Sequence, residues 1–187
     1  MVIIINGAPG AGKTFLLKNL HTFEDYKFVP LKKYTTRYPR SFEKGSVSVE
    51  LRYGSDKSFI DNLEYHYEYN GKSYGIDKCE IQKIIDQNEI PVIIIRSFDI
   101  IKRIKNDFQN VYVFFIVGAT GDTLQKRLIQ QGRAQKEIHA ADLGFSSITD
   151  DYIDNISVVD HCIINSLYDP NLYFKQFLAF VQTNIEY

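Results

Sequence analysis

The segment best suited to chemistry lies near the start of the chain, where closely spaced glycines precede a lysine and a threonine. Its residues are Gly7, Ala8, Pro9, Gly10, Ala11, Gly12, Lys13, Thr14 and Phe15. An apolar run precedes it and a helical pattern follows it, which is the order of a phosphate-binding loop. Glycines let backbone N–H groups turn toward an anion, and a helix N-terminus adds partial positive charge. The segment therefore predicts an ATP-binding loop in which Lys13 reaches the outer phosphates and the Thr14 hydroxyl binds Mg²⁺.

A second group of charges lies between Lys32 and Arg40, where four cations fall within nine residues. Arg37 and Arg40 are spaced so that both can bind one phosphate through paired N–H donors. Taken alone, such a run is more typical of a solvated basic loop. A kinase, however, must hold a donor anion and an acceptor anion in line. Because a phosphate loop precedes the run, we interpret it as a binding site for the acceptor.

Composition limits the class of protein and its partners. A chain of 187 residues suits one compact domain, and a net charge of −1 gives no broad positive field for a nucleic acid polymer. The longest apolar run is too short to span a membrane. The two cysteines lack metal-ligand spacing, and Met1 leads directly into an apolar run without a basic leader. We expect a cytoplasmic monomer or homodimer that binds a nucleotide and a small phosphorylated substrate.

Apolar runs that hardly alternate predict strands buried on both faces. They are Val2 to Ile5, Val92 to Ile95, Val111 to Val117 and Cys162 to Ile164. Helical patterns alternate with them, at Phe15 to Leu20, Ile76 to Gln87, Ile100 to Phe108, Thr123 to Ile129 and Asn171 to Ile185. This alternation predicts an α/β fold with a parallel sheet and helices on both faces. We expect one kinase domain with a core of residues 1–31, 76–125 and 155–187, an acceptor-binding insertion of residues 32–75 and a helical lid of residues 126–154.

The predicted insertion has a different pattern, with short alternating segments rich in tyrosine. Residues 47–53 and 64–69 alternate, and Asn70-Gly71 is typical of a tight hairpin turn. Tyr65, Tyr67 and Tyr69 fall on one face, where we expect them to pack. The insertion is therefore predicted to be a small antiparallel sheet.

Five motifs in this order resemble those of the guanylate kinase family. They are Gly7 to Thr14, Thr35 to Arg40 with Glu43, Tyr69 to Gly75, Leu124 to Gly132, and Asp160 to Asn165. The resemblance covers nearly the whole chain. It implies a phosphate-loop core, an insertion that binds GMP and a lid that closes over ATP.

The resemblance also implies roles for single residues. Arg37 and Arg40 match arginines that hold the acceptor phosphate, and Tyr74 matches a tyrosine whose hydroxyl reaches the same group. Arg127 matches a lid arginine that faces the donor phosphates, with Arg133 as a second candidate. Asn165 matches an asparagine near the adenine. Arginines in these places would neutralise charge on the transferring group.

The chain departs from the family pattern mainly around the acceptor base. The guanine-reading glutamate falls on Tyr65 with Glu64 adjacent, and one step along a strand moves a side chain to the other face. Ser97 stands in place of an aspartate, and Asp99 is the nearest carboxylate for metal, although it more typically opens a helix. Lys33 or Tyr34 replaces a serine of the acceptor loop. A further tyrosine falls on Val49, or on Tyr53 with a gap, and two lid arginines fall on Gln131 and Asp142.

The sequence therefore predicts ATP- and Mg²⁺-dependent phosphoryl transfer to a nucleoside monophosphate, with GMP as the first acceptor. The candidate acceptor-binding residues are Lys33, Arg37, Arg40, Glu64, Tyr74 and Ser97. Two alternatives remain. The strand end Arg96-Ser97 partly resembles ribose 1,5-bisphosphate phosphokinases, which need no guanine reader. The altered lid would also suit a nucleotide-binding module that has lost turnover.

Overall fold

The computed structural model describes residues 1–39, 48–118, 126, 128–129, 150–165 and 170–184. The chain divides into two compact units, Met1–Ile4 with Leu17–Tyr112 and Ile5–Leu16 with Val113–Tyr187. The strands, in chain order, are β1 Val2–Gly7, β2 Phe28–Pro30, β3 Lys33–Thr35, β4 Leu51–Arg52, β5 Tyr65–Tyr69, β6 Lys72–Ile76, β7 Ile90–Ile94, β8 Val111–Val117 and β9 His161–Ile164. The helices are α1 Lys13–Lys18, α2 Lys57–Asp61, α3 Lys78–Asp86, α4 Phe98–Asp107 and α5 Pro170–Asn184, with 3₁₀ turns at Leu20–Thr22 and Ile156–Val158. No helix in the described ranges combines the length and apolarity needed to cross a membrane.

The larger sheet has five strands in the order β2-β7-β1-β8-β9. The pairs β2/β7 and β8/β9 are parallel, as predicted from runs that do not alternate. Every residue of β1 is buried, and so are Val113 to Ile116 of β8. The predicted α/β fold with a parallel core sheet is therefore confirmed.

The smaller sheet has four strands in the order β4-β3-β6-β5. The pairs β3/β6 and β5/β6 are antiparallel, which agrees with the predicted insertion, whereas β4 pairs with β3 in parallel. A parallel pair needs a long connection, and the chain between β3 and β4 supplies one. The alternating segment 47–53 forms a strand only at Leu51–Arg52, and residues 40–47 lie outside the described part.

The hairpin between β5 and β6 follows the sequence prediction. Asn70 and Gly71 have φ of +49° and +63°, which suits the twist of a two-residue hairpin turn. The turn fixes the register, so that Tyr67 lies opposite Tyr74. These two rings stack with centroids 5.4 Å apart.

Helix α4 is stabilised by a side-chain cap at its start and by an apolar face. The Ser97 side chain caps the helix by accepting a hydrogen bond from the Ile100 N–H at 3.4 Å. Ile100, Ile101 and Ile104 are buried, while Lys102 is exposed. The helix is thereby held by one apolar face.

A side-chain amide pairs with β9, the last strand of the larger sheet. Gln176 on α5 accepts a hydrogen bond from the Ile164 N–H at 3.0 Å and donates to the Ile164 carbonyl at 2.9 Å. The amide thus satisfies both backbone groups of one strand residue, as a neighbouring strand would.

Replacement of Ile104 by alanine should destabilise the fold. Its side chain is fully buried, so the cavity left behind should lower the free energy of unfolding by about 2–5 kcal/mol. Lys102→Ala on the same helix is the matched control and should change it by less than about 0.5 kcal/mol. Urea unfolding followed by circular dichroism measures both. Equal changes for the two variants would contradict the described packing of α4.

Candidate active site

The glycine loop after β1 belongs to the second compact unit, together with β8, β9 and α5. Gly7 has φ of +135°, and a Cβ there would lie 2.5 Å from the Ile116 carbonyl oxygen. Gly12 has φ of +104°, a region that side chains disfavour. The loop turns back on itself through a hydrogen bond from the Ala11 N–H to the Ala8 carbonyl at 3.2 Å. These features give the turned backbone that a phosphate-binding loop requires.

Lys13 places its ammonium inside this loop. Its side chain is only 7% exposed, and Nζ donates to the Gly7 and Ala8 carbonyls at 2.7 and 2.6 Å. A buried ammonium needs such acceptors. The loop carbonyls therefore hold a positive charge at the place where the sequence predicts phosphate binding.

Two residues in the C-terminal part of the chain donate hydrogen bonds to carbonyl groups of the loop. Asn165 donates from Nδ2 to the Ala11 carbonyl at 2.8 Å. Tyr173 donates from its hydroxyl to the Gly12 carbonyl at 3.2 Å. The structure thus gives Asn165 a role in shaping the loop, and its predicted contact with adenine stays a prediction. Sequence reasoning missed Tyr173, because it lies within an apolar helical stripe where a ring is expected to pack.

An aromatic pair lies beside the loop. Phe15 on α1 is 47% exposed, and its ring centroid is 5.5 Å from that of Phe174 on α5. The exposed ring leaves an apolar surface next to Thr14, which is half-buried in the first turn of α1. This surface fits the predicted place of Phe15 among the ATP-binding residues, which stays a prediction.

The first compact unit gathers several of the predicted acceptor-binding residues. The Arg37 guanidinium lies 5.0 Å from the centroid of the Tyr53 ring, and Nη2 is 3.4 Å from the Tyr53 hydroxyl. Backbone hydrogen bonds fix Arg37, from its N–H to Thr35 Oγ1 and from the Gly54 N–H to its carbonyl. Tyr53, one of the two positions to which sequence reasoning assigned a further tyrosine, thus lies beside Arg37, and the choice between Val49 and Tyr53 stays a prediction.

Lys33 and Tyr74 meet in the same unit. Lys33 is 4% exposed, and its Nζ lies 5.6 Å from the centroid of the Tyr74 ring. Burial lowers the pKa of Lys33 to about 8, and Arg96 and Arg37 lower it further, whereas Glu50 and Tyr74 oppose the shift. These residues therefore form one group of interacting charges, which we call the Lys33 cluster.

Glu64 and Tyr65 lie where the family pattern places a guanine-binding glutamate, and both contact helix α4. Glu64 is exposed just before β5, with Oε1 3.4 Å from Nη2 of Arg103 on α4. Tyr65 is fully buried and donates to Asp107 Oδ2 at 2.6 Å. Burial raises the pKa of Tyr65, and the hydrogen bond to Asp107 adds to the shift. The polar atoms of both residues are thus engaged by α4, and the role of Glu64 in acceptor binding stays a prediction.

The remaining predicted residues are at the start of α4 or outside the described part. Ser97 caps α4, and Asp99 is exposed in its first turn, which fits the expectation that Asp99 opens a helix. Their predicted contacts with acceptor and metal stay predictions. Arg40, Glu43, Arg127 and Arg133 lie outside the described residues, as does most of the predicted lid.

The comparison with known protein families decides the assignment. A family model described as guanylate kinase matches residues 1–153. The chain belongs to the guanylate kinase family. The resemblance inferred from the motifs is therefore confirmed, and so is the predicted enzyme class, an ATP-dependent kinase.

Relatives named guanylate kinase align over most of their length. The protein of Sus scrofa is 28% identical over 172 residues, which cover 89% of this chain and 85% of that protein. The protein of Campylobacter jejuni strain RM1221 is 30% identical over 179 residues, which cover 88% of this chain and 80% of that protein. The similarity thus extends well beyond the phosphate loop.

Solved structures agree on the fold. The crystal structure of guanylate kinase from Anaplasma phagocytophilum matches with a TM-score of 0.64 at 14% identity and covers 99% of this chain and 87% of that one. An uncharacterised protein from Eubacterium ventriosum matches with a TM-score of 0.51 at 15% identity and covers 98% of both chains. At such identities the likeness establishes the fold alone.

The loop residues fit a nucleotide with Mg²⁺. The described residues contain no group of three His, Cys, Asp or Glu side chains able to hold a metal ion. Mg²⁺ usually keeps waters and phosphate oxygens with few protein ligands, so one protein oxygen is enough, and the Thr14 hydroxyl as that ligand stays a prediction. When bound, the ion supplies positive charge against the phosphate oxygens.

Replacement of Gly12 by alanine should weaken ATP binding. The new Cβ would lie 2.3 Å from Asn165 Nδ2 at a φ of +104°, which disturbs the hydrogen bond that shapes the loop. Strain of about 1–3 kcal/mol predicts an affinity about tenfold lower or more. Isothermal titration calorimetry with ATP and Mg²⁺ measures it.

Gly71→Ala is the matched control, because Gly71 also has positive φ, +63°, but a Cβ there meets nothing within 4 Å. It should leave the affinity for ATP unchanged. If Gly12→Ala bound ATP as tightly as Gly71→Ala, the assignment of the loop would be wrong.

Proposed function

We propose that the chain transfers the γ-phosphoryl group of ATP to the phosphate of a nucleoside monophosphate, with GMP as the first acceptor. Membership of the guanylate kinase family supports this proposal. The observation that carries it in the molecule is the Lys13 ammonium held inside the glycine loop by the Gly7 and Ala8 carbonyls.

In the proposed reaction, an oxygen of the acceptor phosphate attacks the γ-phosphorus of ATP. The bond from that phosphorus to the bridging oxygen of ADP breaks, so the products are ADP and a nucleoside diphosphate. The attacking oxygen is already anionic, and no strong general base is required. The protein must therefore hold the two anionic groups in line and neutralise their negative charge.

Each unit supplies residues for one of these tasks. On the donor side, the loop backbone and Lys13 bind the phosphates of ATP. On the acceptor side, Arg37 binds the acceptor phosphate through paired N–H groups, with Tyr74 as a hydroxyl donor. Arg127 and Arg133 are proposed to neutralise the transferring group from the lid.

A screen of acceptors tests the proposal. With ATP and Mg²⁺, the purified chain should form ADP faster with GMP or dGMP than with AMP, CMP or UMP. Lys13→Met should abolish the signal, which excludes a contaminating kinase. Faster turnover of ribose 1,5-bisphosphate would overturn the choice of acceptor. ATP binding without ADP formation for any acceptor would contradict the enzyme and favour a binding module.

Replacement of Arg37 by alanine should raise the KM for the acceptor about 10- to 100-fold, because a charge-assisted hydrogen bond to phosphate contributes about 1.5–3 kcal/mol. The KM for ATP should hardly change. Lys57→Ala is the control, since Lys57 is an exposed cation of the same unit that pairs with Asp61 and Glu68. Steady-state kinetics with both substrates varied separates the two constants. An unchanged acceptor KM in Arg37→Ala would exclude the proposed phosphate contact.

A further inference from the structure

Helix α5 packs on β8 through one apolar face. Tyr173, Phe177 and Val181 are buried, and the centroid of the Phe177 ring lies 5.0 Å from that of Phe114 on β8. Residues spaced by four lie on the same side of a helix. The same packing therefore brings the Tyr173 hydroxyl to the glycine loop, where it donates to the Gly12 carbonyl at 3.2 Å.

Two consecutive peptide groups of the loop are fixed through their carbonyl oxygens. Asn165 Nδ2 donates to the Ala11 carbonyl at 2.8 Å, and the Tyr173 hydroxyl donates to the next carbonyl, that of Gly12. In a planar trans peptide group, the C=O and N–H bonds point in opposite directions. The two contacts therefore also set the directions of the Gly12 and Lys13 N–H groups.

The Asn165 side chain is itself held in place. Its backbone N–H donates to the Val117 carbonyl of β8 at 2.8 Å. Gln176 of α5 binds both backbone groups of Ile164, the residue before it. The position of Asn165 against the loop is thus determined by β8 and α5.

Gly12 combines an occupied carbonyl with an N–H that a ligand can bind. Its carbonyl accepts from the Leu16 N–H at 3.0 Å as well as from Tyr173, so Tyr173 joins the first turn of α1 to α5. Within the described ranges, no protein acceptor binds the Gly12 N–H. A loop N–H that points away from a fixed carbonyl is a donor for an anion.

We propose that Tyr173 is a positioning residue for the donor phosphates. With Asn165, it directs the N–H groups of Gly12 and Lys13 toward the phosphates, so docking of α5 and binding of phosphate stabilise each other. The inference rests on the proposed function in taking the glycine loop as the donor site. It goes further in making the affinity of that site depend on helix α5.

Replacement of Tyr173 by phenylalanine removes the hydroxyl and keeps the buried ring. The affinity for ATP with Mg²⁺ should fall about three- to tenfold, because the Gly12 carbonyl loses one of its two hydrogen bonds. The affinity for inorganic tripolyphosphate, which has no base, should fall by the same factor. Isothermal titration calorimetry measures both. Unchanged affinities would overturn the proposal, and so would a loss confined to ATP, which would make Tyr173 a contact for the nucleoside.

Tyr65→Phe is the matched control for a general loss of stability. It also removes the hydroxyl of a fully buried tyrosine that donates a hydrogen bond, in this case to Asp107 at 2.6 Å. Like Tyr173→Phe, it should lower the free energy of unfolding, but it should leave the affinity for tripolyphosphate unchanged. Equal losses of affinity in the two variants would assign the effect to destabilisation and contradict a positioning role.

Replacement of Asn165 by leucine tests the second contact. Leucine has a similar size and no N–H donor in its side chain, so the affinities for ATP and tripolyphosphate should both fall about three- to tenfold. A loss for ATP alone would make Asn165 a contact for adenine and exclude its role in directing the loop.

The wild type gives a test that depends on no variant. Tripolyphosphate with Mg²⁺ should slow hydrogen exchange at the backbone amides of α5, because binding at the loop and docking of the helix are coupled. Tripolyphosphate is the probe, since it has no base that could contact α5 directly. Mass spectrometry measures the exchange. Equal exchange in α5 with and without tripolyphosphate would rule out the coupling.

Lys13→Met distinguishes a failure of this inference from a failure of the proposed function. This variant should abolish the binding of tripolyphosphate, because the loop loses its buried charge. If binding persists, the loop is not the donor site and the proposed function fails. If binding is lost in Lys13→Met but is unchanged in Tyr173→Phe and Asn165→Leu, only the positioning role is wrong.

Discussion

The glycine loop depends on one interaction, a positive charge buried inside a turn of the main chain. The Lys13 ammonium is stable in the loop because the Gly7 and Ala8 carbonyls accept its hydrogen bonds. Those carbonyls are in place because Gly7 packs against the backbone of Ile116, and because Asn165 and Tyr173 hold the loop on its other side. The loop residues are contiguous in sequence, but their arrangement therefore depends on contacts with β8 and with residues near the C-terminus.

Within the described ranges, Lys13 and Lys33 are both buried, and their ammonium groups have different surroundings. Lys13 is satisfied by carbonyl oxygens of its own loop, so its charge is held in position within the loop itself. Lys33 instead contacts the Tyr74 ring, and Glu50 opposes the lowering of its pKa that burial causes. The first arrangement suits a loop that recognises a phosphate chain through its backbone.

Local signals explain which parts of the molecule were predicted from sequence. The glycine loop, the Asn70-Gly71 turn and the buried strands depend on residues close together in the chain, and their element types agree with the structure. Short elements such as β2 and α2 were not predicted, because three and five residues are too few to show the periodicity of a strand or a helix.

Non-local contacts explain what sequence reasoning missed at the site. The hydroxyl of Tyr173 reaches Gly12 across 161 positions of sequence, and no local pattern encodes that contact. The contacts of Arg103 with Glu64 and of Arg37 with Tyr53 likewise depend on tertiary packing. Gln176 makes a contact of another kind, with β9 at the edge of the larger sheet. By occupying both backbone groups of Ile164, its amide removes one place where another chain could add a strand, which protects the protein against edge-to-edge aggregation.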